Sequence, residues 1–263
     1  MRATLAIVAS AAVLSIVSLA AHAGCETKSP DHLVALIELY TSEGCDSCPP
    51  ADKWLSRLAG TDKERPAATR AVPIAFHVDY WDRLGWKDRF ASPIFTERQR
   101  EEMRRQYSSF VYTPQILLQG RDFPQWQSGG DPAGAIAAIN ARPARAIIEI
   151  GAEPHPNGVK VNLRVRVPDP RDRAHAIVAV ALVQSGLVSD VKTGENAGKR
   201  LAHDHVVRQW RAGPSLDANG EAVAQLTLML PADPGPLTIV AFAENSANGE
   251  VLQALALPLC ARS

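Results

Sequence analysis

The chain has 263 residues, with 28 Lys plus Arg balanced by 28 Asp plus Glu, and no basic stripe that would attract nucleic acid or an anionic membrane. Hydrophobic residues make up 46% of it, which supports a sizeable core and excludes a disordered protein. The length allows two domains.

The first 23 residues form a unit of their own. Arg2 precedes an apolar or small-residue run from Ala3 to Ala20, and Ala21-His22-Ala23 has the small-x-small pattern of a cleavage site. We read residues 1–23 as a secretory signal peptide cut after Ala23, which makes the protein periplasmic or secreted and leaves no membrane contact after cleavage. An uncleaved anchor fits less well, because Ser10, Ser15 and Ser18 interrupt the segment. A lipid anchor on Cys25 fits less well too, because His22 stands where a Leu-like residue belongs.

Residues 24–142 alternate strands and helices. His32 to Tyr40 is a mostly apolar run, as expected of a buried parallel strand. The segment "EGCDSCPP" (Glu43 to Pro50) follows, and Ala51 to Ala59 carries a helical apolar face of Ala51, Trp54, Leu55 and Leu58. After a polar linker, Gly60 to Ala71, a second buried strand runs from Val72 to Val78, with Pro73 near its start and His77 as a core histidine. Ser92-Pro93 opens a heavily charged helix that reaches about Tyr107. Gln115 to Leu118 is a third strand, Gly120-Arg121-Asp122 a turn, and Asp131-Pro132 the start of a last helix. A strand, a CxxC loop, a helix and a later Thr-Pro ahead of a strand is the thioredoxin arrangement.

Residues 143–263 change character. Val159 to Val167 alternates strictly, as a half-buried antiparallel strand does. Further strand-like runs occupy Ala176 to Val183, Ala222 to Met229, Leu237 to Glu244 and Val251 to Leu259, separated by Gly, Pro, Asn and Asp clusters. The expected fold class is therefore α/β plus β: a thioredoxin-like domain over 24–142 and an antiparallel β-sandwich of about six or seven strands over 143–263.

Export matters for the cysteines, because thiols pair in an oxidising compartment. Cys45 and Cys48 form a local pair, which leaves Cys25 and Cys260, near the two mature termini, for a structural disulfide; two free surface thiols are the alternative. In the CxxC pair Cys45 leads, so it is the expected attacking thiolate and Cys48 the more buried, resolving one. Pro49 and Pro50 delay the helix to about Pro49, which places Cys45 in the loop ahead of it and weakens the helix dipole it feels. Thr113-Pro114 stands where thioredoxin-like proteins carry a cis-proline beside the redox pair. Asp79 is a candidate to assist proton transfer from Cys48, or else caps a turn together with Asp82. Tyr80, Trp81 and Trp86 line a peptide groove or pack between domains.

Other chemistry is less well served. A zinc site needs four ligands, and the single CxxC supplies two, with His203 and His205 able to complete it only across domains, so no metal and no cofactor is expected. A Cu(I) chaperone would use the same soft dithiol, but there is no Met cluster. The polar stretch from Gly194 to Trp210 is a binding loop or a plain hairpin connection. The favoured activity is thiol–disulfide exchange on extracytoplasmic protein thiols or disulfides; a non-catalytic thioredoxin-like binding module and the copper chaperone are the alternatives.

Four separated motifs, "IELYTSEGCDSCPPAD" (Ile37 to Asp52), "HVDYWDRLGWKD" (His77 to Asp88), "VYTPQILLQG" (Val111 to Gly120) and "GENAGKRLAHDHVVR" (Gly194 to Arg208), resemble the bacterial secreted family called domain of unknown function 1223. The resemblance spans nearly the whole mature chain. It implies a thioredoxin-like fold and a redox pair at Cys45 and Cys48, and it implies no substrate. Thioredoxin itself carries Trp where this chain has Gly44, and Gly-Pro where it has Asp46-Ser47.

Overall fold

The computed structural model describes residues 25–59, 70–128, 132–232 and 235–260. The expected signal peptide, most of the 60–71 linker and Asp131 lie outside the described residues. The first half contributes β1 (Cys25–Lys28), β2 (Ala35–Thr41), α1 (Pro49–Ala59), β3 (Ala71–His77), α2 (Pro93–Arg105), β4 (Gln115–Leu118), β5 (Arg121–Asp122) and α3 (Ala133–Asn140). The second half contributes β6 (Ile147–His155), β7 (Gly158–Arg166), the single turn α4 (Pro170–Arg173), β8 (Ala176–Gln184), β9 (Leu187–Asp190), β10 (Arg200–His203), β11 (Val206–Ala212), β12 (Glu221–Leu228), β13 (Leu237–Asn245) and β14 (Val251–Pro258). The architecture is mixed α/β, with sheets dominating over a few helices. No helix among the described residues is long and apolar enough to cross a membrane.

The central element is an eight-stranded sheet in the order β14-β13-β8-β11-β3-β2-β4-β5. β2 runs parallel to β3 and antiparallel to β4, with Leu39 opposite both Ala75 and Ile116. A second sheet has the order β1-β6-β7-β12, and β9 and β10 form a separate hairpin.

Strand pairing crosses the boundary expected near Arg142–Pro143. β1 pairs with β6, His32 bridges Pro143, and β11 joins β3 in parallel at Val206 and Ala75. The sandwich of the second half is therefore not closed on itself, because one of its layers continues into the strands of the first half. The physical reason lies in β8 and β13. Val178, Val180 and Leu182 pack toward the four-stranded sheet, while Ala179, Ala181 and Val183 pack on the opposite face. A strand that is apolar on both sides needs cover on both sides, and belongs in the middle of a large sheet. β7 alternates, turning Val161, Leu163 and Val165 to the core and Arg164 and Arg166 outward, so its sheet needs cover on one side only.

On one face of the large sheet lies α2, whose Phe95 and Met103 pack on Tyr40, Phe76 and Phe242. On the other, α1 and α3 cover β2, β3 and β4, with Trp54, Leu55 and Ile136 on Ile37, Leu39 and Ile116. The four-stranded sheet covers the rest of that face.

The charges of α2 are partly buried. Arg98 donates to Glu38 Oε2 of β2 at 2.9 Å and to Glu244 Oε2 of β13 at 3.0 Å. Arg105 bonds Glu102 at 2.6 Å and Glu244 at 2.9 Å, and the Tyr40 hydroxyl donates to Glu38 at 3.0 Å. The Arg98 guanidinium lies 4.8 Å from the Trp210 ring and 5.2 Å from that of Phe242. Burial raises the Glu244 carboxyl, but Arg98 and Arg105 outweigh it and hold the group below its ordinary range. Glu102 goes the other way: burial lifts it to about 8, against Arg98 and with help from Glu244 and Glu38.

Candidate functional site

The cysteine loop leaves the end of β2 and is closed by turns, with Cys45 N–H donating to the Ser42 carbonyl and Cys48 N–H to the Cys45 carbonyl, both at 3.2 Å. The Cys48 carbonyl then accepts from the N–H groups of Ala51 and Asp52, so Cys48 occupies the cap of α1 and the helix begins at Pro49. The two sulfurs are bonded, at 2.18 Å. Both cysteines are fully buried, at 0% exposure, which corrects the expectation that Cys48 is the more buried of the two.

The Thr113–Pro114 peptide bond is cis. Trp81 ties this bond to the cysteine loop. Its indole N–H donates to Thr113 Oγ1 at 2.7 Å, and a Cβ placed on Gly44 would lie 3.1 Å from the Trp81 Cβ. Trp86 donates to Glu43 Oε2 at 2.7 Å, and the Tyr80 hydroxyl to Gln99 Oε1 at 3.2 Å. The three aromatics thus brace the loops around the pair. Asp79 is not engaged with Cys48: its carboxylate accepts from Thr96 Oγ1 of α2 at 2.5 Å. Asp82 accepts the Asp88 N–H at 3.1 Å. Asp82 thus holds local backbone, as short carboxylate side chains at turns commonly do, while Asp79 ties its turn to the start of α2.

What shields Cys45 comes from the second half of the chain. The β9–β10 hairpin carries residues 191–199 at its tip, and the Asn196 side chain, fully buried, donates to the carbonyls of Glu43 and Cys45, each at 2.9 Å. Glu195 Oε2 accepts from the Asp46 N–H at 3.2 Å, and Thr193 bonds the Gly85 carbonyl. Gly194 has φ +77° and sits against Trp86, where a Cβ would approach Trp86 Cβ to 3.2 Å. Only a glycine meets both demands without strain. The stretch from Gly194 to Arg208 therefore folds back onto the cysteine loop.

Behind the pair is a buried group of titratable side chains. Asp52 stands one helical turn beyond Cys48 on α1, His77 ends β3 and His203 ends β10. One potential donor atom from each lies within 4.8 Å of the others. The His77 and His203 rings meet edge to face at 4.9 Å. His77 Nδ1 is 2.6 Å from Asp88 Oδ2, which also accepts from the Glu43 N–H at 2.9 Å. His203 Nδ1 is 3.9 Å from Asp52 Oδ1, and its Nε2 is 3.4 Å from Glu43 Oε1. Burial lowers the His203 imidazole, but Asp52 and Glu43 outweigh it and raise the group to about 10. Burial raises Glu43 and Asp88, yet His203 and His77 respectively bring them below the ordinary carboxylate range. His205 lies outside this group, and burial lowers it to about 4.

Cys25 and Cys260 are both thiols here, without the disulfide expected between them. They are nevertheless neighbours, with the Cys260 N–H donating to Cys25 Sγ at 3.2 Å. Pairing of β1 with β6 brings one end of the described chain beside the other.

The sequence pattern did not single out Glu43, Asp52 or Asp88; His77 is the core histidine expected, and Asp88 is its partner at Nδ1. The i, i+4 spacing of Cys48 and Asp52 on one helix was the available signal for Asp52. Nothing local could join His203 to His77, which are 126 positions apart in the chain.

A family model described as "Protein of unknown function (DUF1223)" matches residues 36–243, from β2 into β13. The chain belongs to this family. The DUF1223 match takes in the cysteine loop, the cis-proline and the covering hairpin together. None of the curated proteins matches the chain. Among solved structures, a protein of Agrobacterium tumefaciens is 25% identical with a TM-score of 0.58, over 87% of this chain and 96% of that one. HBP35 of Porphyromonas gingivalis is 15% identical with a TM-score of 0.63, over 88% of this chain and 76% of that one, a likeness of fold alone.

Proposed function

We propose that this protein is an exported thiol–disulfide oxidoreductase whose Cys45–Cys48 pair exchanges with extracytoplasmic protein thiols or disulfides. The observation that carries the reading is the bonded pair itself, set between the end of β2 and the first turn of α1. A thioredoxin-like reading of the first half is supported by the strand order β3-β2-β4-β5, with β4 antiparallel to both its neighbours, the helices on both faces and the cis Thr113–Pro114 bond. In the reducing direction, the Cys45 thiolate attacks a partner disulfide. A Cys45–partner bond forms, and one partner sulfur leaves as a thiolate. Cys48 then gives up its proton and attacks Cys45 Sγ, which frees the second partner sulfur and leaves Cys45–Cys48 oxidised. The reverse sequence oxidises a partner dithiol and leaves the pair reduced. Cys45 is fully buried and Asn196 and Glu195 hold the backbone of its loop, so a partner reaches the sulfur only after the loop or its neighbours shift.

One observation favours a second reading, a non-catalytic binding module with a structural disulfide: both cysteines are completely buried. The copper-chaperone reading gains nothing beyond the dithiol. Trapping separates the first two. With Cys48→Ser, Cys45 should accumulate mixed disulfides with other exported proteins, and with Cys45→Ser far fewer should form. Equal trapping by both variants, together with a pair that physiological dithiols do not reduce in the folded protein, would establish the module.

A further inference from the structure

The strongest feature that thiol exchange leaves unused is the buried group behind the cysteine pair. We propose that Asp52, His77 and His203 form a binding site for a divalent transition-metal ion with zinc-like donor preference. The first argument is saturation. His77 Nε2 is buried and makes no hydrogen bond. The His203 nitrogens, also buried, meet carboxylate oxygens only at ion-pair distance, Nε2 at 3.4 Å from Glu43 Oε1 and Nδ1 at 3.9 Å from Asp52 Oδ1, without a hydrogen bond. Buried polar atoms without partners are uncommon and point to something that satisfies them.

The second argument is orientation. His77 turns Nδ1 to Asp88, which leaves Nε2 for a ligand role. His203 turns Nε2 to Glu43 and Nδ1 toward Asp52. Asp52 Oδ2 accepts from Thr41 Oγ1 at 3.2 Å, leaving Oδ1 toward His203. Each prospective ligand is thus held by a partner on its far side, as metal-bound imidazoles and carboxylates are. Donors bonded to one zinc ion stand about 3.3–3.6 Å apart, from bond lengths of roughly 2.0–2.2 Å in a tetrahedron. The three donors here, within 4.8 Å of one another, reach that spacing by side-chain shifts of about 1 Å.

The third argument is charge. Even with both imidazoles protonated, the carboxylates of Glu43, Asp52 and Asp88 outnumber them in a buried space. A dication with both imidazoles neutral, the state in which they ligate, supplies the same two positive charges that two imidazolium ions would, and so takes their place among these carboxylates. A groove between α1 and β10, lined by Asp52, Leu201 and His203 and open to solvent, supplies an entry path. The sequence argument against zinc counted cysteine ligands, whereas this site uses none.

The test titrates the purified, chelator-treated full chain, with Cys45–Cys48 oxidised, with zinc chloride and cobalt chloride. We expect one zinc per chain by elemental analysis after desalting. Cobalt should give visible d–d bands of a nitrogen- and oxygen-ligated site, without thiolate-to-cobalt charge transfer. Double substitution of Cys45 and Cys48 by Ser should leave the stoichiometry at one, whereas Asp52→Asn and His77→Gln should each lower zinc retention at least tenfold. Where a variant fails to fold by circular dichroism, the wild-type stoichiometry and the cobalt spectrum decide. A folded wild-type chain that retains no zinc or cobalt overturns the proposal. Retention lost in the Cys variant but kept in His77→Gln overturns it in favour of a dithiol site. Neither outcome touches the trapping result, so this site and thiol exchange stand or fall separately.

Discussion

Two buried ionic groups lie on opposite faces of the same sheet, and they are finished differently. On the α2 face, Glu38, Arg98, Glu102, Arg105 and Glu244 each make at least one direct hydrogen bond, and aromatic rings flank the Arg98 guanidinium. On the α1 face, His203 makes none, although it sits between two carboxylates. The first group joins a strand of one half, β2, to a strand of the other, β13, and its guanidinium forks match the carboxylates they meet. The second presents imidazole nitrogens to a shared space. The difference shows that burial of charge does not by itself mark a functional site. Both faces leave buried polar atoms without a hydrogen bond, Glu38 Oε1, Glu102 Oε2 and Arg105 Nε on the α2 face among them; what sets the α1 face apart is that its donors, two imidazoles and a carboxylate, converge on one space.

The largest expected effect acts on both faces equally and so calibrates the comparison. Oxidation of Cys25 to Cys260 would close a loop that contains both groups. The chain-entropy model puts its stabilisation at about 5 kcal/mol as an upper value. Non-reducing peptide mapping of protein oxidised in vitro should find this linkage between the neighbouring thiols, and denaturant unfolding should show the gain over the dithiol form. Next in size is Arg98→Met, which strands Glu38 without its cation and leaves Glu244 with Arg105 alone. Loss of one partner from a buried ion pair costs about 3–5 kcal/mol, read as a fall in the urea midpoint. Arg98→Met should leave zinc retention unchanged in protein that remains folded, because it touches only the α2 face.

Asn196→Ala comes third. It leaves the Glu43 carbonyl without its donor and the Cys45 carbonyl with only the Cys48 N–H, at a cost of about 1–3 kcal/mol. It also loosens the cover over the pair, so dithiothreitol should reduce Cys45–Cys48 several-fold faster in the variant, followed by alkylation and mass spectrometry. Unchanged reduction kinetics would show that Asn196 does not govern access.

The smallest effect is a slope. Glu102 has a folded-state value near 8 against an ordinary 4.5. In that window the unfolded chain releases the proton that the folded chain keeps, so this group's contribution is full below about 4.5 and is lost as the pH rises through about 8. Glu102→Gln removes the titration and should flatten the stability–pH curve across the window, measured by urea unfolding at successive pH values. A slope unaltered by the substitution would assign it to other groups.

Much of this arrangement was legible from local pattern. The β4 strand from Gln115 to Leu118 follows from its apolar run, and the start of α1 at Pro49 follows from the restriction that each proline places on the residue before it. The alternation over Val159 to Val167 reports a one-faced strand. These are short-range signals, carried by side-chain periodicity and φ restriction within a few residues.

Four features belong to tertiary structure alone: the junction of β11 with β3, the return of β1 to β6, the closing of Asn196 over Cys45, and the meeting of His203 with His77. β11 joins β3 through a single residue pair, Val206 and Ala75, reinforced by the Ala75 N–H to the His205 carbonyl. Its sequence, VVRQWRA, is too short and polar to announce a place in a central sheet. By itself the sequence determined most of the longer strands and helices and where the cysteine pair sits relative to them, but not β1, β6, β9 or β10, nor that β8 and β13 would sit inside a large sheet covered on two faces. Tertiary structure decided which distant segments supply that cover, because register between remote strands depends on the summed burial of both partners and leaves no periodicity in either one.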